Sequence, residues 1–342
     1  MRAMVLAAGL GTRLRPITYA MPKPMVPVIN KPVMEHILRL LARHGFTETI
    51  ANLHWFPEVI EGYFGDGSGQ GVSLAYSHEE QLLGTSGGVR NAAGFLGDSF
   101  LVISGDALTD IDLTAMREFH ESHDGIATLA MKRVEDTSQF GVAIVGADGR
   151  VQGFQEKPDP AEALSDLANC GIYMSTRAIF DHFPPPDFKS PAGDDDQPPG
   201  FVDWAMDVFP ALLDGDVPFY SHEIDAYWND IGSVGEFVQG NLDALAGQVG
   251  IEPPAPEVSS GIYAGAGSDL DGVKVKPPVL IGSDCQVGTG ADVHGPAVIG
   301  DGCRLGADAM LRDCVVLPGA EVPAGGLVVG GLYGVEADRP LD

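Results

Sequence analysis

The sequence predicts an α/β fold, a doubly wound mixed sheet, followed by a C-terminal left-handed parallel β-helix. Three observations carry that expectation. Short apolar runs at residues 3–8, 49–53, 72–77 and 100–104 alternate with amphipathic stretches of helical period, the pattern of βαβ units. The chain has 342 residues, more than one core usually organises, so two domains are expected. Beyond residue 278, Ile281, Val287, Val293, Ile299, Leu305, Leu311 and Leu317 recur every six residues, with Gly at 282, 288, 300 and 306. That period is the mark of a hexapeptide β-helix, each hexad supplying one strand of a triangular coil.

Each element has a local reason. Residues 32–44 place Val33, Met34, Ile37, Leu38 and Leu41 on one helical face, and Gly45 ends the helix. Residues 57–64 form a short helix and 126–134 a strand, and 142–145 with 151–154 form a hairpin turning at Asp148-Gly149. Asp110 is expected to cap the helix that starts near Asp112. Residues 184–200, with Pro184-Pro185-Pro186, Asp194-Asp195-Asp196 and Pro198-Pro199-Gly200, read as a mobile acidic loop. Helices are expected at 201–213 and 234–246. The domains follow as 1–247, a Pro/Gly/Ser-rich linker at 248–278, and the hexad repeats at 279–342. Ala291, Cys285 and Cys303 fall four residues after repeat aliphatics, where small inward side chains fit. So few coils should pack on the first domain or on another subunit, which makes a homo-oligomer the expectation.

Charge narrows the function. The chain carries a formal charge of −28, yet residues 1–45 hold seven Lys or Arg against one acid, Glu35. Positive charge gathered in one segment of an acidic protein implies a bound anion. Overall acidity argues against nucleic acid, and high-salt adaptation is an alternative source of it. No stretch approaches the roughly 18 to 20 apolar residues of a membrane span. The N-terminal apolar run passes into a Gly/Arg/Pro loop and not a cleavage site, so a cytoplasmic location is expected. Cys170, Cys285, Cys303 and Cys314 lack a C-x-x-C pair, which favours buried thiols.

The anion site is expected at Leu6-Ala7-Ala8-Gly9-Leu10-Gly11-Thr12-Arg13. A buried strand empties there into a turn whose glycines let main-chain N–H groups approach a ligand. No Gly-Lys-Ser/Thr follows, and Leu14 stands where a dinucleotide fingerprint needs its third glycine. Arg13, Arg15 and Pro22-Lys23-Pro24 add fixed cations.

The ungapped run Gly9-Leu10-Gly11-Thr12-Arg13-Leu14-Arg15-Pro16-Ile17-Thr18, followed by Lys23-Pro24, resembles the signature of the sugar-nucleotide pyrophosphorylases. These are Rossmann-like, GT-A-like nucleotidyltransferases that join a nucleoside triphosphate to a sugar 1-phosphate. Further segments match: Glu79 with Gly84-Thr85, Gly105-Asp106, Glu156-Lys157-Pro158, Asn169-Cys170-Gly171-Ile172-Tyr173 and Trp228-Asn229-Asp230-Ile231-Gly232. The resemblance implies that Leu6, Ala8, Gly9, Gly11, Thr12, Glu79, Gly84 and Thr85 bind the nucleotide and that Arg13 and Lys23 act in catalysis. It assigns Gly141, Glu156, Lys157 and Asn169 to the sugar phosphate and Asp106 and Asp230 to Mg²⁺.

Relatives that use uracil or thymine resemble one another in carrying Gln at the position of Glu79. A carboxylate only accepts hydrogen bonds, which suits the two donors of guanine. A solvated loop acid is the alternative for Glu79. The pattern is most similar to mannose-1-phosphate guanylyltransferases, with GTP and mannose 1-phosphate as substrates. The alternatives are a glucose-1-phosphate uridylyl- or thymidylyltransferase, a hexapeptide acyltransferase using His294, the one histidine of the repeats, or a non-catalytic regulatory relative.

Overall fold

The computed structural model describes residues 1–185, 188–190, 198 and 200–334; the expected acidic run Asp194–Asp196 lies outside them. The chain begins with β1 (Arg2–Leu6), β2 (Pro27–Val28), β3 (Lys31–Pro32), α1 (Val33–Arg43), β4 (Glu48–Leu53) and α2 (Pro57–Phe64). Next come β5 (Ser73–His78), α3 (Gly84–Asn91), β6 (Ser99–Ser104), β7 (Leu108–Thr109), α4 (Leu113–Glu121) and β8 (Ala127–Arg133). They are followed by β9 (Gly141–Val145), β10 (Val151–Glu156), β11 (Leu167–Thr176), α5 (Phe209–Asp214), β12 (Tyr220–Glu223), β13 (Trp228–Asn229) and α6 (Val234–Leu245).

Two compact units result: residues 1–10, 37–107 and 111–228, and residues 11–36, 108–110 and 229–342. These units interleave in sequence and are a different division from the expected domains at 1–247 and 279–342. The stretch 11–36, which continues the glycine turn, groups with the C-terminal residues.

The first unit is a mixed sheet in the order β10-β9-β11-β6-β1-β4-β5, with β8 on β11 and β12 on β8. The β1, β4, β5 and β6 strands run parallel, and β11 lies antiparallel to β6, β8 and β9. Parallel strands need crossover segments between them, which α1, α2 and α3 supply. Met4, Phe100, Val102 and Leu129 of the sheet are buried with Val89 of α3 and with Trp204, Phe209 and Phe219. The helix expected at 201–213 starts later. Asp203 caps one wide π turn, Trp204–Val208, before α5. Pro210 has no N–H to bond four residues back, which disfavours a continuous α-helix through this segment. The cap of α4 is Asp112 and not Asp110: its carboxylate accepts from the N–H groups of Thr114 and Ala115, both at 2.9 Å. Asp110 stands too early in sequence to reach that helix end.

The second unit is built on coils of β-strands: β14 (Glu257–Ser259), β15 (Ile262–Ala264), β16 (Lys274–Lys276), β17 (Val279–Ile281), β18 (Gln286–Val287) and β19 (Asp292–Ile299). After these come β20 (Arg304–Leu305), β21 (Met310–Val316), β22 (Glu321–Val322) and β23 (Leu327–Tyr333). Parallel neighbours include Ile281 with Ile299 and Gln286 with Arg304, one coil apart. Glycine follows the inward aliphatic because the next coil passes close by; a Cβ on Gly288 would lie 2.4 Å from the Ala307 nitrogen.

Two expectations need correcting here. Residues 248–278 are not all linker, since β15 pairs with β17 and β16 with β19. The hexad frame also slips after Leu311: Val293 pairs with Leu311 and Ile281 with Ile299, both eighteen residues on, but Ile299 pairs with Val316, one residue short of Leu317. Asp110 belongs to this unit, its carboxylate accepting from Gly250 N–H at 2.8 Å. All four cysteines are buried and free.

Candidate active site

In the first unit, the turn after β1 is held from below. The Ala7 N–H donates to Asn52 Oδ1 at 2.8 Å, and the Gly105 N–H donates to the Leu6 carbonyl at 2.8 Å. A Cβ on Gly105 would fall 2.6 Å from that carbonyl, so only glycine lets β6 deliver Asp106 this close to the end of β1. Ala8 is buried and Gly9 exposed. A Cβ on Gly9 would meet no protein atom within 4 Å, so packing does not explain that glycine.

The Asn52 side chain continues the network, its Nδ2 donating to Glu79 Oε1 at 2.8 Å, while Glu79 Oε2 accepts from the Leu83 N–H at 3.0 Å. Glu79 is 6% exposed, and the solvated loop acid of the alternative reading is not what is found. Burial pushes its carboxyl above the usual range, against the opposing pull of the Asn52 and Leu83 bonds. A Cβ on Gly88 would lie 2.6 Å from Glu79 Oε1, which explains that glycine.

Gly84 adopts φ 78° with its α-carbon against Val202, whose oxygen a Cβ would approach to 2.4 Å. The Thr85 hydroxyl donates to Asp203 Oδ2 at 2.7 Å and accepts from the Trp204 N–H at 3.1 Å. Its side chain is thus engaged within the protein.

The sugar-phosphate candidates cluster on β9, β10 and β11. Glu156 pairs with Gly141, where a Cβ would sit 3.0 Å from Glu156 Oε2. Lys157 holds φ 46°, a conformation that L residues enter at a cost, with its ammonium 3.6 Å from Glu156 and half exposed. Asn169 accepts from Gly171 N–H at 3.1 Å and donates to the Tyr173 hydroxyl at 3.0 Å, shaping a bulge in β11. Gly171 faces Ser104, whose hydroxyl donates to Asp106 Oδ1 at 2.5 Å. The fold therefore brings Asn169 and Asp106 into one neighbourhood.

In the second unit, Gly11 has φ 61°, and a Cβ there would lie 2.9 Å from Thr18 Cγ2 and 3.1 Å from Lys23 Cβ. The Thr18 hydroxyl donates to the Gly11 carbonyl at 2.7 Å. Glycine is thus what lets Lys23 lie against the turn. Thr12 and Arg13 are exposed on the single turn Thr12–Leu14, anchored by buried Leu14. Asp230 sits just before Ile231, which is held at φ 41° by its N–H bond to Asn229 Oδ1 at 2.8 Å. A Cβ on Gly232 would come within 3.0 Å of both Asp230 oxygens. Ser233 then caps α6.

Sequence reasoning missed Asn52, Ser104 and Asp203. The partners of Asn52 and Asp203 are 27 and 118 residues distant, and no local pattern marks such pairs. Among the described residues no three His, Cys, Asp or Glu side chains gather into a metal cage. Magnesium ordinarily takes one or two carboxylates and completes its octahedron with water and substrate phosphate, so single carboxylates such as Asp106 and Asp230 are suitable donors. His294 on the β-helix lies 2.8 Å from Asp292. No helix among the described residues is long and apolar enough to cross a membrane.

Residues 2–247 match the nucleotidyl transferase family and 278–313 the bacterial transferase hexapeptide repeats. A UTP–glucose-1-phosphate uridylyltransferase of Synechocystis is 38% identical, over 86% of this chain and 77% of the relative. A mannose-1-phosphate guanylyltransferase of Mycobacterium tuberculosis is 36% identical, over 85% and 76%. The structure of a UDP-glucose pyrophosphorylase from Acinetobacter baumanii superposes with a TM-score of 0.58 at 23% identity, covering 70% of this chain and 92% of that one. With its mixed sheet, its glycine turn and its hexad coils, the chain belongs to the sugar-nucleotide pyrophosphorylase family of nucleotidyltransferases.

Proposed function

We propose that this enzyme transfers a guanylyl group from GTP to mannose 1-phosphate, releasing pyrophosphate. The supporting observation is Glu79, a buried carboxylate at the base-reading position of the family. Each of its oxygens carries one protein donor and retains a second acceptor site, so it can receive the N1–H and 2-amino donors of guanine.

The chemistry follows from the charges. An oxygen of the sugar 1-phosphate, already ionised near neutral pH because the second pKa of a phosphate monoester is about 6, attacks the α-phosphorus. The P–O bond to the β-phosphate breaks, and pyrophosphate leaves with that electron pair. No general base is required, and the work is to bring two polyanions together and to stabilise the transferring group. The N–H groups at Gly9 and Gly11 cradle the triphosphate, Arg13 neutralises the departing pyrophosphate, and Lys23 stabilises the α-phosphate. Lys157 binds the sugar phosphate, and Glu156 and Asn169 orient the sugar hydroxyls. Asp106 and Asp230 would hold Mg²⁺, which when bound offsets the negative charge on the phosphates.

A second reading, uridylyl transfer to glucose 1-phosphate, is favoured by the Synechocystis relative. A neutral Glu79 would present one donor and one acceptor, as Gln does, and could then serve uracil. A matrix of GTP, UTP, dTTP, ATP and CTP against mannose and glucose 1-phosphates, read by pyrophosphate release, separates the two. GTP with mannose 1-phosphate should give the highest kcat/KM; a higher value for UTP overturns the use of Glu79.

A further inference from the structure

Within the second unit, the stretch that carries Arg13 and Lys23 does not end in a free loop. The Lys23 carbonyl accepts from the Val26 N–H at 3.2 Å, and the Val26 carbonyl accepts from the Val33 N–H at 3.0 Å. Between them β2 and β3 form a hairpin with Val28 opposite Lys31. Its turn residues, Ile29 and Asn30, have φ of 42° and 62°. Asn tolerates that region, but a β-branched residue there is strained and persists only where its surroundings over-determine it.

Two asparagines do so. Asn241 of α6 has no solvent exposure; its Oδ1 accepts from the Ile29 N–H at 2.8 Å, and its Nδ2 donates to the Pro27 carbonyl at 3.2 Å and the Phe237 carbonyl at 3.0 Å. It therefore bonds the strand that enters the strained turn, the first residue of the turn and its own helix. Asn30 Nδ2 donates to the carbonyl of Ile299, on β19. The side chain of Ile29 is fully buried, and His36 Nε2 lies 3.0 Å from the Val28 carbonyl. The α6 helix packs against β19, β21 and β23.

We infer that Asn241, with Asn30, is a positioning residue for Lys23: it clamps the Ile29–Asn30 turn and so fixes the glycine turn's lysine against α6 and the β-helix. The hexad coils are then the footing of a catalytic loop as well as an appendage. The inference rests on the reading that Lys23 acts on the α-phosphate. Without the clamp the turn can relax, and the path from Ile29 back through Val26 to Lys23 is short enough to move the ammonium. Displacements of about 1 Å at a positioned group can cost on the order of a hundredfold in rate.

A double-mutant cycle tests it, because residues that act through one another give non-additive effects. Asn241→Ser removes the clamp. Asn30→Gly keeps the backbone freedom and removes only the bond to Ile299, so it reports even if Asn241→Ser does not fold. Each is measured alone and in Lys23→Ala, with kcat and KM for both substrates and the thermal midpoint. Asn241→Ser should lower kcat about tenfold or more, and Asn30→Gly about threefold, with KM for the sugar phosphate nearly unchanged. In Lys23→Ala both should cost less than about twofold. Equal losses in both backgrounds, or an unchanged kcat in a folded clamp variant, overturn the inference. A fully active Lys23→Ala would instead overturn the assigned role of Lys23, and the clamp's role with it.

Discussion

On the proposed reading, the Glu79 loop and the glycine turn solve the same problem, a fixed shape at a ligand, by opposite means. Around Glu79 the shape comes from side chains: Asn52 bridges Ala7 and Glu79, and Thr85 is tied to Asp203. Around Gly11 it comes from backbone, with glycine permitting the close approach of Thr18 and Lys23 and an asparagine clamp further along. Side-chain networks can be retuned one residue at a time, which suits a position that chooses among bases. A backbone cradle is less forgiving, as is appropriate for phosphates common to every nucleotide.

Substitutions can break that contrast, beginning with the strongest. Lys23→Ala should lower kcat by about a hundredfold to a thousandfold, the effect of deleting one preorganised charge donor, in steady-state assays of pyrophosphate release. Gly11→Ala should follow closely, since its Cβ meets Thr18 and Lys23 in a left-handed backbone; about 1–3 kcal/mol of stability should be lost with the activity. Gly9→Ala is the contrast, because no protein atom lies within 4 Å of its Cβ. It should leave the denaturation midpoint unchanged and weaken nucleotide binding alone, as titration calorimetry would report.

Asn52→Leu should cost about 1–3 kcal/mol by leaving the Ala7 N–H without its partner, and it should narrow the preference for GTP over UTP. The smallest effect concerns pH. Burial holds the Glu79 carboxyl above its usual range, so acidification should neutralise it earlier than an exposed acid and shift the kcat/KM ratio from GTP toward UTP. The ratio is the proper readout, because stability falls over part of the same range. Burial depresses His120 to about 4, and it also depresses His123, with which His120 shares the Thr128 hydroxyl. A depressed histidine contributes fully above the unfolded pKa near 6.5, and that contribution is lost as pH falls toward the folded value. His120 should cost about 2 kcal/mol at pH 5, measurable by urea denaturation.

Much of this was legible in the sequence because it is local. The glycine turn, the strand that feeds it and the Gly84-Thr85 segment are contiguous, and strand periodicity located most of the sheet. The hexads were readable as far as Leu311, where the chain passes to the next inward aliphatic one residue early, so that Val316 and not Leu317 continues the ladder of Ile299. Residues 248–278 hid their strands because Pro, Gly and Ser dominate there, and the pairing of β15 and β16 depends on later coils. Asp110 and Asp112 were interchangeable by composition, and only the helix start separated them. Asn52 and Asn241 were invisible, since a buried asparagine is defined by what surrounds it, here main-chain groups 45 and 212 residues away.

The central claim is that the turn from Gly9 to Arg13, with Lys23, receives the triphosphate that the sugar phosphate attacks. A crystal structure with mannose 1-phosphate and a non-hydrolysable GTP analogue tests it directly. The account predicts the triphosphate on the N–H groups of that turn, with the Lys23 ammonium about 3 Å from an α-phosphate oxygen. Phosphates bound elsewhere, with the turn empty, would contradict it.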